Sequence, residues 1–214
     1  MPQTKDQPFD QNLVYPLNSQ DPHPKISWDT KNSCKNYFCH YLWKKISPMI
    51  QLIITGGTFD KTYDLIHGKL FFERTHIPKM LERSRCKLSI DVLPLMLKDS
   101  LELTEEDLDQ IIDACQTTPA QSIVITHGTD TMVDTAKRLA AAKLKKTIIL
   151  TGAMIPYAFG SSSDGFFNLG CAIAFAQTLD PNVYIAMQGQ YFLWNEVQKN
   201  KSLGLFEKLA KPLC

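Results

Sequence analysis

Two short segments of the chain set threonine hydroxyls beside glycines: Thr55-Gly56-Gly57-Thr58 and His127-Gly128-Thr129-Asp130-Thr131. A threonine hydroxyl is a weak nucleophile until a neighbouring base activates it and N–H donors hold the oxyanion it creates. Glycines suit that chemistry because they adopt φ > 0, let a ligand approach the backbone and leave N–H groups facing it. The same glycine pair also makes an ordinary tight turn between a strand and a helix. In the second segment Thr129, Asp130 and Thr131 crowd the start of a predicted helix, where negative groups are favoured. The plainer reading is that Asp130 caps that helix. His127, taken alone, is more often a satisfied core histidine than a base.

Further polar residues recur at comparable places. Asp99 and Ser100 follow a second apolar segment; Ser100 suits a carboxylate, and equally an ordinary loop. Glu196, Lys199 and Lys201 lie beyond the last apolar segment. A lysine in a dry site can be partly neutral and act as a base, whereas on the surface it is a solvated charge. Cys34-x4-Cys39-His40 has the look of a metal element, but a tetrahedral site needs four ligands and no second pair follows. No metal is assigned, and Tyr37, Phe38, Tyr41 and Trp43 are read as packing residues.

The elements that must position these residues alternate. Strands are predicted over 50–55, 87–93, 122–126, 147–151 and 183–187, and helices over 77–85, 104–116, 130–143 and 165–179. Thr104 and Asp107 form a capping-box pattern, after which Leu108, Ile111, Ile112 and Cys115 make one apolar stripe. Asp164 is placed to cap the last helix. Strands and helices alternating at this spacing predict right-handed βαβ units, hence a three-layer α/β/α fold around a mainly parallel sheet. Ligands in such folds bind beyond the carboxyl ends of the strands, where the polar segments fall.

Composition narrows the function classes. With 214 residues, 44% of them hydrophobic, the chain can bury one good core. Its formal net charge of +1 comes from scattered Lys and Arg, which argues against nucleic acid and anionic membrane surfaces as partners. No apolar run has the length of a spanning helix. Six irregularly spaced cysteines and a polar start suit a reduced, cytoplasmic setting. Residues 1–48, rich in Pro, Asn and Gln, read as a poorly ordered extension, with Met49 as an alternative start, and residues 49–214 as the domain.

Taken together, the segments resemble the bacterial-type L-asparaginase family. Its T-G-G-T turn is matched by Thr55 to Thr58, and its H-G-T-D-T segment by His127 to Thr131. Thr151-Gly152-Ala153-Met154-x-Pro156 and Asp164-Gly165-x-Phe167-Asn168-Leu169 are similar to the next two segments, in the same order. The resemblance implies the fold of that family's N-terminal domain and hydrolysis of asparagine to aspartate and ammonia through a threonine acyl-enzyme, without a cofactor. It implies Thr58 as nucleophile, with Thr129, Asp130 and Lys199 as a proton-shuttling group and Lys201 as the fallback for the lysine. Ser100 would hold the substrate carboxylate, next to Leu101 where the family has glutamine. Gly57, Gly128 and Ala153 would contribute through their backbone, and Tyr63 stands where the family's mobile-loop tyrosine is sought. The chain resembles a short form without the family's second domain, and a homo-oligomer is expected. The alternatives are a glutaminase, an ammonia-releasing amidotransferase subunit, and a non-catalytic amino-acid-binding module.

Overall fold

The computed structural model describes residues 50–210, so the expectations for residues 1–48, the Cys34, Cys39 and His40 element, and the Met49 start lie outside the described residues. The first strand, β1 (Ile50–Gly56), is buried along its whole length. A near-continuous apolar run is what a strand covered on both faces requires. An exposed hairpin follows, β2 (Lys61–Asp64) and β3 (Lys69–Phe72), then a short helix α1 (Ile77–Arg83) with Pro78 in its first turn. Next come β4 (Ile90–Lys98), α2 (Glu105–Thr117), β5 (Ser122–Thr126), α3 (Met132–Ala141), β6 (Thr147–Thr151), α4 (Gly165–Thr178) and β7 (Val183–Met187). Three short strands complete the described chain: β8 (Gln190–Leu193), β9 (Val197–Asn200) and β10 (Leu205–Lys208).

The main sheet has the order β4-β1-β5-β6-β7-β8, parallel except for the last pair. Alternate residues divide between its two faces. Leu52, Val124, Ile149 and Tyr184 pack with Leu169 and Ala172 of α4 and with Met80 of α1. Ile53, Ile123, Ile148 and Ile185 pack with Ile111 and Cys115 of α2 and with Met132 and Leu139 of α3. The predicted three layers follow from this period of two along each strand.

The order also places a switch point. From β1 the chain passes to β4 on one side and then to β5 on the other, opening a crevice beyond the carboxyl ends of β1 and β5. The Thr58 turn and the Thr129 turn emerge from those two strands.

Several expectations need correction. The second strand runs over Ile90–Lys98 rather than 87–93, passing through Pro94. Proline looks like a terminator, but β4 is the sheet edge, where a missing N–H is tolerated. Asp164 does not cap α4 with its side chain; its carboxylate accepts the backbone N–H groups of Met154 and Ile155 instead. The hairpin β2–β3 and strands β8, β9 and β10 have no counterpart among the predicted elements, because four-residue runs show too little period to be read. The capping box on α2 forms as expected between Thr104 and Asp107, and Lys98 adds contacts of 2.7 Å to both Asp107 carboxylate oxygens.

Candidate active site

Strand-end threonines separate into two kinds. Thr55 is buried at the end of β1 and its hydroxyl donates to Thr126 O at 2.8 Å. Thr151, buried at the end of β6, donates to Ala186 O at 2.8 Å. Both knit neighbouring strands together. Thr58, three residues beyond Thr55, is half-buried in a single helical turn over Thr58–Asp60 at the crevice.

Glycines let the turns touch. Gly57 has φ +74, and a Cβ on it would lie 2.4 Å from Gly128 N. A Cβ on Gly128 would in turn lie 2.5 Å from Ser100 Oγ, and one on Gly152 would lie 3.2 Å from Thr129 Cγ2. The turns after β1, β4, β5 and β6 therefore form one continuous rim, with Thr58 and Thr129 flanking the Gly57–Gly128 contact. Thr131 reinforces it by donating its hydroxyl to Ser100 O at 2.9 Å. Ala153 is fully buried at the same rim.

Lys199 arrives from β9, outside the main sheet. Its Nζ donates to Thr129 Oγ1 and to Asp130 Oδ1, each at 2.8 Å. The lysine side chain is 10% exposed and the Asp130 carboxylate 41%, so the amine is largely shielded while its counter-charge reaches solvent. Lys201, exposed in the following turn, makes no comparable contact among the described residues. Ser100 is 4% exposed and its Oγ has no hydrogen-bond partner among the described residues. An unsatisfied buried hydroxyl costs about 1–3 kcal/mol unless a ligand completes it. Tyr63 lies on β2, 46% exposed, with its hydroxyl 3.8 Å from where a Gly68 Cβ would sit. It belongs to the hairpin rather than to the Lys199 cluster.

Two titratable groups are shaped by burial. His127 is enclosed, and burial lowers its pKa to about 4, so the ring is neutral. A backbone carbonyl only accepts; Nδ1–H therefore donates to Gly128 O at 2.7 Å, and Nε2 accepts from Thr135 at 3.0 Å. His127 is thus a latch inside the turn. Asp60, two residues after Thr58, is fully buried, and burial raises its pKa to about 6, against the opposing hydrogen bonds from His76 N and Thr75 Oγ1. The next residue, Lys61, pairs with Asp99 beside Ser100.

A family model described as Asparaginase, N-terminal, matches residues 49–208. The chain belongs to the asparaginase family. L-asparaginase 1 of Escherichia coli (strain K12) is 30% identical over 174 residues, covering 76% of this chain and 50% of that protein. The thermostable L-asparaginase from Thermococcus kodakarensis superimposes with a TM-score of 0.67 at 29% identity, covering 76% of this chain and 52% of that one. The probable cytoplasmic L-asparaginase from Campylobacter jejuni gives 0.64 at 26% identity, covering 76% and 53%. The chain spans about half the length of these asparaginase relatives.

Within this asparaginase domain, Asp60, Lys61 and Gln188 carry contacts near the site that the sequence reading passed over. For Gln188 a signal existed: Gln188-Gly189 separates two short apolar runs in the manner of a hairpin turn. Asp60 and Lys61 had none, since their partners are remote in sequence.

Proposed function

We propose that this chain hydrolyses the side-chain amide of asparagine, or of a close analogue, through an acyl-enzyme on Thr58. The observation that carries the reading is the Lys199 amine at 2.8 Å from Thr129 Oγ1, on a turn packed backbone to backbone against the turn of Thr58. An amide is a poor electrophile, so its hydrolysis needs an activated hydroxyl, an oxyanion donor and a proton for the departing ammonia.

In this reading Thr58 Oγ attacks the amide carbon and its proton passes to the Lys199–Thr129 pair. The C–N bond then breaks, the amide nitrogen takes that proton and leaves as ammonia, and an ester remains on Thr58. Water attacks the ester, releasing aspartate and restoring the hydroxyl. The amide of Gly57 already donates to Lys98 O at 2.8 Å, so the oxyanion falls to donors such as Thr58 N–H, at the unpaired start of its helical turn. Ser100 Oγ, buried and unpartnered, receives the substrate carboxylate, and Asp130 the amino group. Gly128 lets the Ser100 turn approach, Ala153 contributes through its backbone, and Tyr63 closes from the hairpin. No cofactor enters the scheme.

The cytosol is the proposed compartment, supported by free Cys86, Cys115 and Cys171 among the described residues. No described helix is long and apolar enough to cross a membrane. A homo-oligomer is proposed from the exposure of Phe167 at 60% and Leu203 at 65%, and light scattering measures it.

Ammonia release from asparagine and from glutamine, by wild type and by Thr58→Ala, tests the reaction. The substitution should lower kcat by at least about 10³-fold while leaving the fold intact. Faster release from glutamine would make the chain a glutaminase. Binding without release would make it an amino-acid-binding module.

A further inference from the structure

The turn joining β7 and β8 holds two residues, Gln188 and Gly189, between the facing pair Met187 and Gln190. Both have positive φ, +57 and +77. That is the type I′ pattern, in which asparagine, aspartate or glycine is favoured at the first position. Glutamine lacks the local side-chain hydrogen bonding that eases asparagine into the left-handed region. Its backbone is strained here, and the longer side chain has a partner asparagine would not reach.

That partner is the β9–β10 ribbon. Gln188 Oε1 accepts the backbone N–H of Phe206 at 3.0 Å. Phe206 stands directly opposite Lys199 in the ribbon. On its other side the Gln188 N–H donates to Asn168 Oδ1 at 3.0 Å. Asn168 is fully buried, and its amide nitrogen donates to Gly152 O and Asp164 Oδ2, each at 2.9 Å. A continuous hydrogen-bonded path therefore runs from the turn after β6, through α4 and Gln188, to the strand partner of Lys199.

We propose that Gln188 is a positioning residue for Lys199, clipping the β9–β10 ribbon to the carboxyl rim of the sheet so that the amine meets Thr129 and Asp130. A two-stranded ribbon is marginal on its own, and Val197 and Phe206 are its buried anchors. Apolar packing is non-directional and holds the ribbon down without fixing its slide. The hydrogen bond to Phe206 supplies that register, and displacement of a reacting group by about 1 Å costs up to roughly 100-fold in rate.

The proposal rests on the hydrolase reading for its kinetic consequence, but Lys199 can be followed without turnover. Gln188→Asn keeps the amide and suits the turn better, yet is one methylene too short for Phe206. Thermal stability should hold or rise. Trace acylation of Lys199 by acetic anhydride, read by mass spectrometry against exposed Lys145, should increase about fivefold, with faster amide exchange at Phe206. The kcat for asparagine should fall about tenfold with KM within twofold. Gln188→Glu restores an acceptor of the original length and should return all three readouts towards wild type. Unchanged Lys199 acylation and Phe206 exchange in Gln188→Asn would overturn the clip, as would a Gln188→Glu protein no better than Gln188→Asn. Wild type that releases no ammonia counts against the hydrolase alone, because acylation and exchange still decide the clip.

Discussion

The carboxyl rim of the parallel sheet and the β9–β10 ribbon supply the candidate site by different means. The rim holds Thr58, Ser100 and Thr129 through backbone contact: glycines remove every Cβ that would separate the turns, and Thr55 and Thr151 lock the strand ends beneath them. The ribbon holds Lys199 through one antiparallel ladder and a few side-chain anchors. The glycine backbone of the rim is packed into the core and cannot be altered without disturbing the fold. The ribbon sits on the core, so its residues can be changed with the fold retained. Damage to the first should therefore register as lost stability, and damage to the second as lost chemistry.

Gly57→Ala strikes the rim hardest, because it forces an L-residue to φ +74 and drives a Cβ to 2.4 Å from backbone that has nowhere to go. A loss of about 5 kcal/mol in urea denaturation is expected, enough to leave little folded protein. A loss under about 1 kcal/mol would show that the turns are not in contact. Lys199→Met sharpens the opposite arm. Its ion pair with the 41% exposed Asp130 adds little stability, so the melting temperature should move by only a few degrees. The rate of ammonia release should fall by 10²- to 10⁴-fold, the range for removing a group that transfers protons.

Acid acts within the rim, in whose turns both His127 and Asp60 lie. In the unfolded chain the His127 imidazole titrates near 6.5, and in the fold near 4. Between those values the unfolded state binds the extra proton, so His127 makes stability fall as pH drops from about 6.5 towards 4, by up to about 3 kcal/mol. Asp60 acts in the opposite sense. Its folded pKa of about 6 lies above the unfolded 3.8, so the folded state binds the proton over that window and gains stability on acidification. Asp60→Asn keeps an acceptor for Thr75 and His76 but removes this offset. It should lose about 2 kcal/mol more than wild type between pH 7.5 and 4.5. Coinciding urea midpoints across that range would exclude a buried, proton-holding Asp60.

The smallest expected effect lies far from both regions. Lys146 donates to the carbonyls of Cys115, Gln116 and Thr118 at the end of α2. Lys146→Met leaves those carbonyls to water and should cost about 1 kcal/mol without touching ammonia release. A change in turnover there would mean that the core transmits strain to the rim.

Much of the rim is legible in the sequence alone. Apolar runs alternating with helical stripes predict the parallel sheet, and the glycine-hydroxyl segments fall just after its strands. The segment 130–143 promised a helix, found over Met132–Ala141, since a stripe at period 3.6 is a local signal. The ribbon was not legible: Val197–Asn200 and Leu205–Lys208 are too short to show a period, and their pairing depends on each other. Asp130 illustrates the limit. Its sequence position suggests a helix cap, yet its carboxylate takes a hydrogen bond from Lys199, 69 residues away.

The amino-acid order by itself determined the five parallel strands and the four helices that cover them, and that glycines and hydroxyls follow those strands. Those outcomes depend on steric freedom and apolar period within a dozen residues. Only the tertiary structure decided that Thr55 knits strands while Thr58 stays half-buried in the turn beyond, that Lys199 rather than Lys201 meets Thr129, and that Asp60 is buried. Each of these turns on distances between parts of the chain that are remote in sequence, where hydrogen bonding and desolvation are set by packing alone.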